Sequence, residues 1–169
     1  VALDKNSNMA VLPSGLKVPM RPFFGQLAVA PPKDFGRQNS KEPREFGGNL
    51  DCKELIAGST IYLPVSNQGG LFSTGDGHAA QGDGEVCVAA LECDMRASLR
   101  VSVEQRTINA PYFRTAGALT PKVDANGHHG AMGIAPDLME GTRKSVLAMI
   151  EWIVAEHGRR ASYVRNIEA

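Results

Sequence analysis

Gly75-Asp76-Gly77-His78-Ala79-Ala80-Gln81-Gly82-Asp83-Gly84-Glu85 separates two apolar, β-branched segments, and its reading sets the architecture on either side. Glycines alternate with chemically strong side chains. The stretch is therefore expected to be a loop whose backbone takes unusual dihedrals and approaches a ligand closely. Upstream, Ser59–Val65 is rich in β-branched and aromatic residues and meets Pro64, as expected of a short strand. Downstream, Glu85–Cys93 is apolar on both faces, which predicts a buried strand. Ala97–Val103 alternates most cleanly: Leu99, Val101 and Val103 face one way and Ser98, Arg100 and Ser102 the other.

Further out, residues 16–30 alternate weakly and predict a short strand, and residues 31–48 are rich in Pro and Gly and predict a long loop. Residues 1–15 read as a mobile or peripheral segment ahead of a single domain over 16–169, with another loop expected at Asp124–Gly133. A helix is expected from about Pro136 to His157. Pro136 and Asp137 suit its first turn, Leu138, Met139, Val146, Met149, Ile150, Ile153 and Val154 form its apolar stripe, and Gly158 stops it. Met139, Met149 and Trp152 are expected to pack on a sheet. The fold class is thus α+β, mostly β: a sandwich or barrel-like β core with one long C-terminal helix. The 18 Gly and 10 Pro among 169 residues agree with many short strands and turns.

Composition narrows the function. The formal net charge of +0 leaves no basic footprint for nucleic acid or an anionic membrane. No stretch approaches the roughly 20 apolar residues of a spanning helix, and no signal peptide is visible. The odd number of cysteines (Cys52, Cys87, Cys93) does not make a disulfide framework and points to the reducing cytoplasm. Val1 in place of Met suggests a processed or trimmed piece.

Chemistry concentrates at 75–85. Asp76 and His78 share a face if extended, as do Asp83 and Glu85. Such pairs hold a metal or orient an imidazole; the plainer alternative is a turn in which Asp caps backbone amides. Crowded carboxylates raise at least one pKa unless a cation sits among them. In Gly47-Gly48-Asn49-Leu50-Asp51, Asp51 is either a metal ligand or general base, or the N-cap of a short turn starting at Cys52. Glu92 interrupts an apolar run, so it has a partner in the site or lies at an open strand end. His128 and His129 read as a solvated loop, His157 as a helix-end cation, and Cys87 as an inert buried thiol. G-x-S-x-G, H-E-x-x-H, C-x-x-C and P-loop signatures are absent from the sequence.

Several runs together resemble the acetamidase/formamidase family. They are Gly47–Asp51, Ala57-Gly58-Ser59-Thr60-Ile61-Tyr62-Leu63-Pro64-Val65, Gly75–Cys87 with its His78-Ala79-Ala80-Gln81-Gly82-Asp83-Gly84-Glu85 string, and Gly133-Ile134-Ala135-Pro136-Asp137-Leu138-Met139-Glu140. Phe24-Gly25 and Val29-Ala30-Pro31-Pro32 fit as well, so the likeness runs from about residue 16 to 158. It implies a mostly β amidase that hydrolyses formamide, acetamide and similar short amides to a carboxylate and ammonia. By position, Asn49, Asp51, Asp76, His78, Gln81, Asp83 and Glu85 carry over, with Glu92 behind them. Members of that family are longer at both ends. The chain is therefore expected to be incomplete, and a homo-oligomer or a companion chain is expected to complete the fold.

The expected mechanism is metal-activated water. Asp51, Asp76 and His78 are the expected ligands, with zinc first and calcium the alternative. Glu85 is the general base and later acid, Asp83 orients it, and Asn49 and Gln81 bind substrate. One rival uses Cys87 as nucleophile with Glu85 as base. Another is a non-catalytic fragment, a metal-stabilised β domain acting as an assembly partner.

Overall fold

The structure, a computed structural model, describes residues 1–117 and 127–158. The strands are β1 (Ala2–Asp4), β2 (Met9–Val11), β3 (Lys17–Pro19), β4 (Phe23–Ala28), β5 (Gly47–Asn49), β6 (Thr60–Tyr62), β7 (Ser73–Ala80), β8 (Leu91–Glu92), β9 (Tyr112–Arg114) and β10 (His129–Ala131). The helix α1 spans Leu138–His157. Among the described residues the strands form three antiparallel sheets, ordered β1-β2-β3, β10-β9-β6 and β5-β4-β7-β8, with no closed barrel. The chain is mostly β with one C-terminal helix.

The four-stranded sheet carries the polar cluster. In β4, Phe23, Gly25 and Leu27 face inward and alternate with more exposed residues, the pattern of a half-buried strand. β4 pairs with β7 through Phe23–His78, Phe24–Gly77 and Gln26–Gly75, and β7 pairs with β8 through His78–Glu92. A register irregularity falls between His78 and Ala80. Bulges of this kind re-aim side chains beside functional sites.

The first sheet closes over the buried end of β7. Ala10, at 0% exposure, packs with Met20 and Ala79, and Val18, Leu91 and Cys93 flank them. Residues 1–15, expected to be mobile or peripheral, therefore supply β1, β2 and a core residue. The reason is local: Asp4 accepts the Asn6 and Ser7 amides and turns β1 back on β2.

The helix follows the sequence closely. Asp137 caps it by accepting the Glu140 amide at 2.9 Å, and Gly158 ends it in the left-handed region at φ 60°. It seats on the β10-β9-β6 sheet, where the Tyr112 hydroxyl donates to the Ala148 carbonyl at 2.6 Å and Trp152 stacks on His129 at 4.3 Å. Only part of the expected stripe faces inward: Ile150 is buried and Met149, Ile153 and Val154 are half-buried, while Leu138, Met139 and Val146 are exposed.

Three strand expectations change. The stretch 75–80 is not a loop but most of β7, because β4 and β8 pair with it on both sides. Of Glu85–Cys93, only Leu91–Glu92 is strand; Val86 and Val88 are 101% and 88% exposed on a turn. Ala97–Val103 has the alternation of a strand and no strand beside it among the described residues, so it runs unpaired and exposed. The expected 124–133 loop lies outside the described residues up to 126, and its far end holds β10.

Candidate functional site

His78 is the hub. It lies on β7 at 1% exposure with Phe23 edge-on to its ring at 5.0 Å. Its Nε2 faces Asp76 Oδ1 at 3.3 Å, Glu92 Oε2 at 3.5 Å and Glu85 Oε1 at 3.6 Å. Asp76 precedes it by two residues on the same strand, and Glu92 sits opposite it on β8. Glu85 returns from the turn after β7. Asp51 arrives from the loop after β5, whose path is fixed when the Leu50 and Asp51 amides both donate to the Gly25 carbonyl, at 2.9 and 3.2 Å.

Two of these carboxylates occupy the left-handed backbone region, Asp51 at φ 45° and Asp76 at φ 61°. Non-glycine residues hold such dihedrals only when the surroundings enforce them, and they gather at functional sites. Gly25, beneath the cluster, makes room for it. A Cβ there would lie 2.6 Å from Asp51 Oδ1, 2.7 Å from Asp76 Oδ2 and 2.9 Å from His78 Cε1. The sequence signal for this position was a glycine inside a strand, which marks a close approach.

The expected ligand trio of Asp51, Asp76 and His78 divides into two sets sharing His78. Asp51, His78 and Glu85 form one group whose ligand atoms lie within 4.8 Å of one another, and Asp76, His78 and Glu92 form the other. The first is the more buried. Its Asp51 Oδ1, His78 Nε2 and Glu85 Oε1, together with Asn49 Oδ1, are buried without a hydrogen-bond partner among the described residues. Unpartnered buried polar atoms are rare and expensive, and a cation satisfies such a set at once. Burial, reinforced by the Glu85 charge, pushes Asp51 up to about 6, so its ionised form costs more here than in water. Imidazole nitrogen with carboxylate oxygens is a donor set that suits a divalent metal. The residues fit the group.

The remaining candidates fall as follows. Asn49 donates to Asp51 Oδ2 at 3.0 Å, and its own acceptor oxygen is buried without a partner among the described residues. Gln81 lies 3.0 Å from His78 Nδ1 through Oε1 and donates through Nε2 to the Asp51 carbonyl at 2.6 Å, so its amide is engaged with protein at both ends. Asp83 does not orient Glu85. It pairs with Lys53 at the surface, its side chain 94% exposed, because the glycines on either side let the turn swing it outward. Glu92 has its partner in the site, and its Oε1 accepts the Ala90 amide at 3.1 Å. Cys87 is exposed on the turn, not buried, while the Glu85 carboxylate points away to His78. Asp51 caps no helix. His128 and His129 are not a solvated loop: His129 opens β10 of the β10-β9-β6 sheet and stacks on Trp152, and His128 lies against Thr115.

Beside Asp76 runs an open groove of about 470 Å³, lined by Phe24, Gly75, Gly77, Met95 and Arg96 among others. No helix among the described residues is long and apolar enough to cross a membrane.

Comparison with known proteins agrees with this picture. The model of the Acetamidase/Formamidase family matches residues 36–153. A formamidase from Methylophilus methylotrophus and an acetamidase from Mycolicibacterium smegmatis are each 52% identical over 44 residues, a stretch covering 26% of this chain and 11% of each relative. An acetamidase structure from Yersinia enterocolitica superposes on 95% of the chain with a TM-score of 0.77 and 27% identity, and one from Bacillus halodurans on 92% with 0.73 and 26%. The chain spans 46% and 49% of those two solved proteins, about half their length. The chain belongs to the acetamidase/formamidase family.

Proposed function

We propose that this chain carries the site of an amide hydrolase acting on short aliphatic amides such as formamide and acetamide, releasing a carboxylate and ammonia by metal-activated water. One observation carries the reading: the buried, unpartnered ligand atoms of Asp51, His78 and Glu85 lie within 4.8 Å of one another, and two further carboxylates, Asp76 and Glu92, face the same imidazole. Asp51, His78 and Glu85 would hold a divalent cation, zinc first because of the imidazole, with calcium the alternative for so oxygen-rich a set. Such a cation supplies Lewis acidity, making water a stronger acid and polarising a carbonyl.

The chain's own residues supply the rest. On this reading Glu85, with Oε1 buried among the unpartnered atoms, serves as a ligand and not as the base. Asp76 takes that role: its carboxylate borders the groove where a small amide fits, within reach of the cluster. It accepts the proton of the attacking water and returns it to the departing amine. Asn49 Oδ1 accepts an N–H from the substrate amide, since its donor end is already committed to Asp51. Phe23 and the strands behind His78 exclude water from the imidazole.

Ammonia release from formamide and acetamide, measured with and without a chelator, tests this. The expected result is turnover that stops on chelation and returns with zinc. Turnover indifferent to chelator but abolished by thiol reagents would transfer the reaction to Cys87. Metal-dependent melting without any ammonia would leave the non-catalytic alternative.

We also propose that the exposed apolar residues Leu99, Val101 and Val103 on the extended segment and Leu138, Met139 and Leu147 on the helix are covered by a second copy of the chain or by a companion chain completing the fold. Apolar side chains on an unpaired extended segment and on one helix favour burial against a partner. Sedimentation equilibrium is expected to give at least twice the mass of one chain. A monomer that stays soluble and carries no companion contradicts it. The three unbridged cysteines support a reducing, cytoplasmic setting.

A further inference from the structure

We propose that Gln81 is a positioning residue that fixes the imidazole of His78 in one tautomer and ties it to the Asp51 loop. The inference rests on the proposed cation site and names what orients its central ligand. The Asp51 carbonyl can only accept. The end of the Gln81 amide lying 2.6 Å from it is therefore the NH₂ group, and the reverse orientation would set two acceptors against each other. That leaves Gln81 Oε1, an acceptor, 3.0 Å from His78 Nδ1. Nδ1 must carry a proton to make that bond. In the neutral imidazole Nε2 is then the one bare nitrogen, and Nε2 is the atom aimed at Asp76, Glu85 and Glu92.

A single amide thus decides which nitrogen is presented and where it points. It does so by reading a backbone oxygen belonging to another ligand, so Asp51 and His78 are set relative to each other through Gln81. A ligand imidazole is commonly oriented through its second nitrogen in this way, and loss of such a partner weakens metal binding by about 10–100-fold. The sequence assigned Gln81 to substrate; its contacts assign it to the histidine.

The test compares the full chain with Gln81→Leu and Gln81→Glu, ¹⁵N-labelled, with His78 assigned through a His78→Asn variant. Gln81→Glu keeps an acceptor for Nδ1–H but sets a second acceptor against the Asp51 carbonyl, so it breaks the tie to the Asp51 loop. Gln81→Leu loses both. In the wild type the His78 Nδ1 proton is expected as a hydrogen-bonded, slowly exchanging resonance, and added zinc should move only the Nε2 nitrogen. Gln81→Glu should retain that proton signal. Gln81→Leu should lose it and bind zinc about 10–100-fold more weakly. The proposal is overturned if the wild-type proton sits on Nε2 with Nδ1 bare, or if Gln81→Leu keeps both the signal and the wild-type zinc affinity. A wild-type chain that shows the Nδ1 proton but takes no zinc would overturn the cation site and leave the Gln81–His78 pairing standing, so the two failures are distinct.

Discussion

Asp76→Asn is expected to lower kcat for formamide by about 10²–10⁴-fold and to leave cation binding intact, the span by which general acid–base groups typically contribute. The substitution is close to isosteric, and Asn is among the residues that best tolerate the left-handed backbone this position adopts at φ 61°. It removes the proton acceptor and little else. Glu85→Gln is the contrasting variant. Glu85 belongs to the more buried trio with Asp51 and His78, so its loss should reduce both cation affinity and turnover. Cation content and steady-state rates of the two variants, measured side by side, decide the assignment. If Asp76→Asn loses the cation while Glu85→Gln keeps it and loses only kcat, the roles revert to those read from the sequence.

The second large effect belongs to a residue that does no chemistry. Gly25→Ala should abolish cation uptake without unfolding the chain. The new methyl carbon would meet the carboxylate oxygens of Asp51 and Asp76 and the ring of His78, all under 3 Å. The carboxylates are the far ends of flexible side chains, so they give way, and the cluster opens instead of the sheet. The backbone of Gly25 is not in the left-handed region, so an alanine is not strained there. Its carbonyl still holds the Leu50 and Asp51 amides. A cooperative melt near that of the wild type, with no cation bound, is the expected combination.

How much of this was legible in the sequence depends on how local the determinants are. The helix was, because its cap, stripe and stop lie within one segment: Asp137, Gly158 and the apolar positions between them. The cluster was legible in composition, because Asp76, His78, Gln81 and Glu85 are close neighbours in the chain. Some strands were: the β-branched run Ser59–Val65 holds β6, and the weakly alternating residues 16–30 hold β3 and β4. The strand that carries the cluster was not. Gly75–Ala80 has low β-propensity and is a strand only because β4 and β8 flank it, a tertiary effect that outweighs local preference. Ala97–Val103 is the converse: alternation describes a strand that needs a neighbour, and the described residues offer none. The division of labour within the site was equally hidden. Asp83 and Glu85 look equivalent two residues apart, yet one meets Lys53 at the surface and the other turns inward to His78. Gly25 lies far from both in sequence and enters only through the pairing of β4 with β7.

Calorimetric titration of the metal-stripped chain with zinc, beside its Gly25→Ala variant, tests the central claim most directly. The account predicts one tightly bound cation per wild-type chain and none in the variant. A wild-type chain that takes up no divalent cation, or a variant that binds zinc as the wild type does, would contradict it.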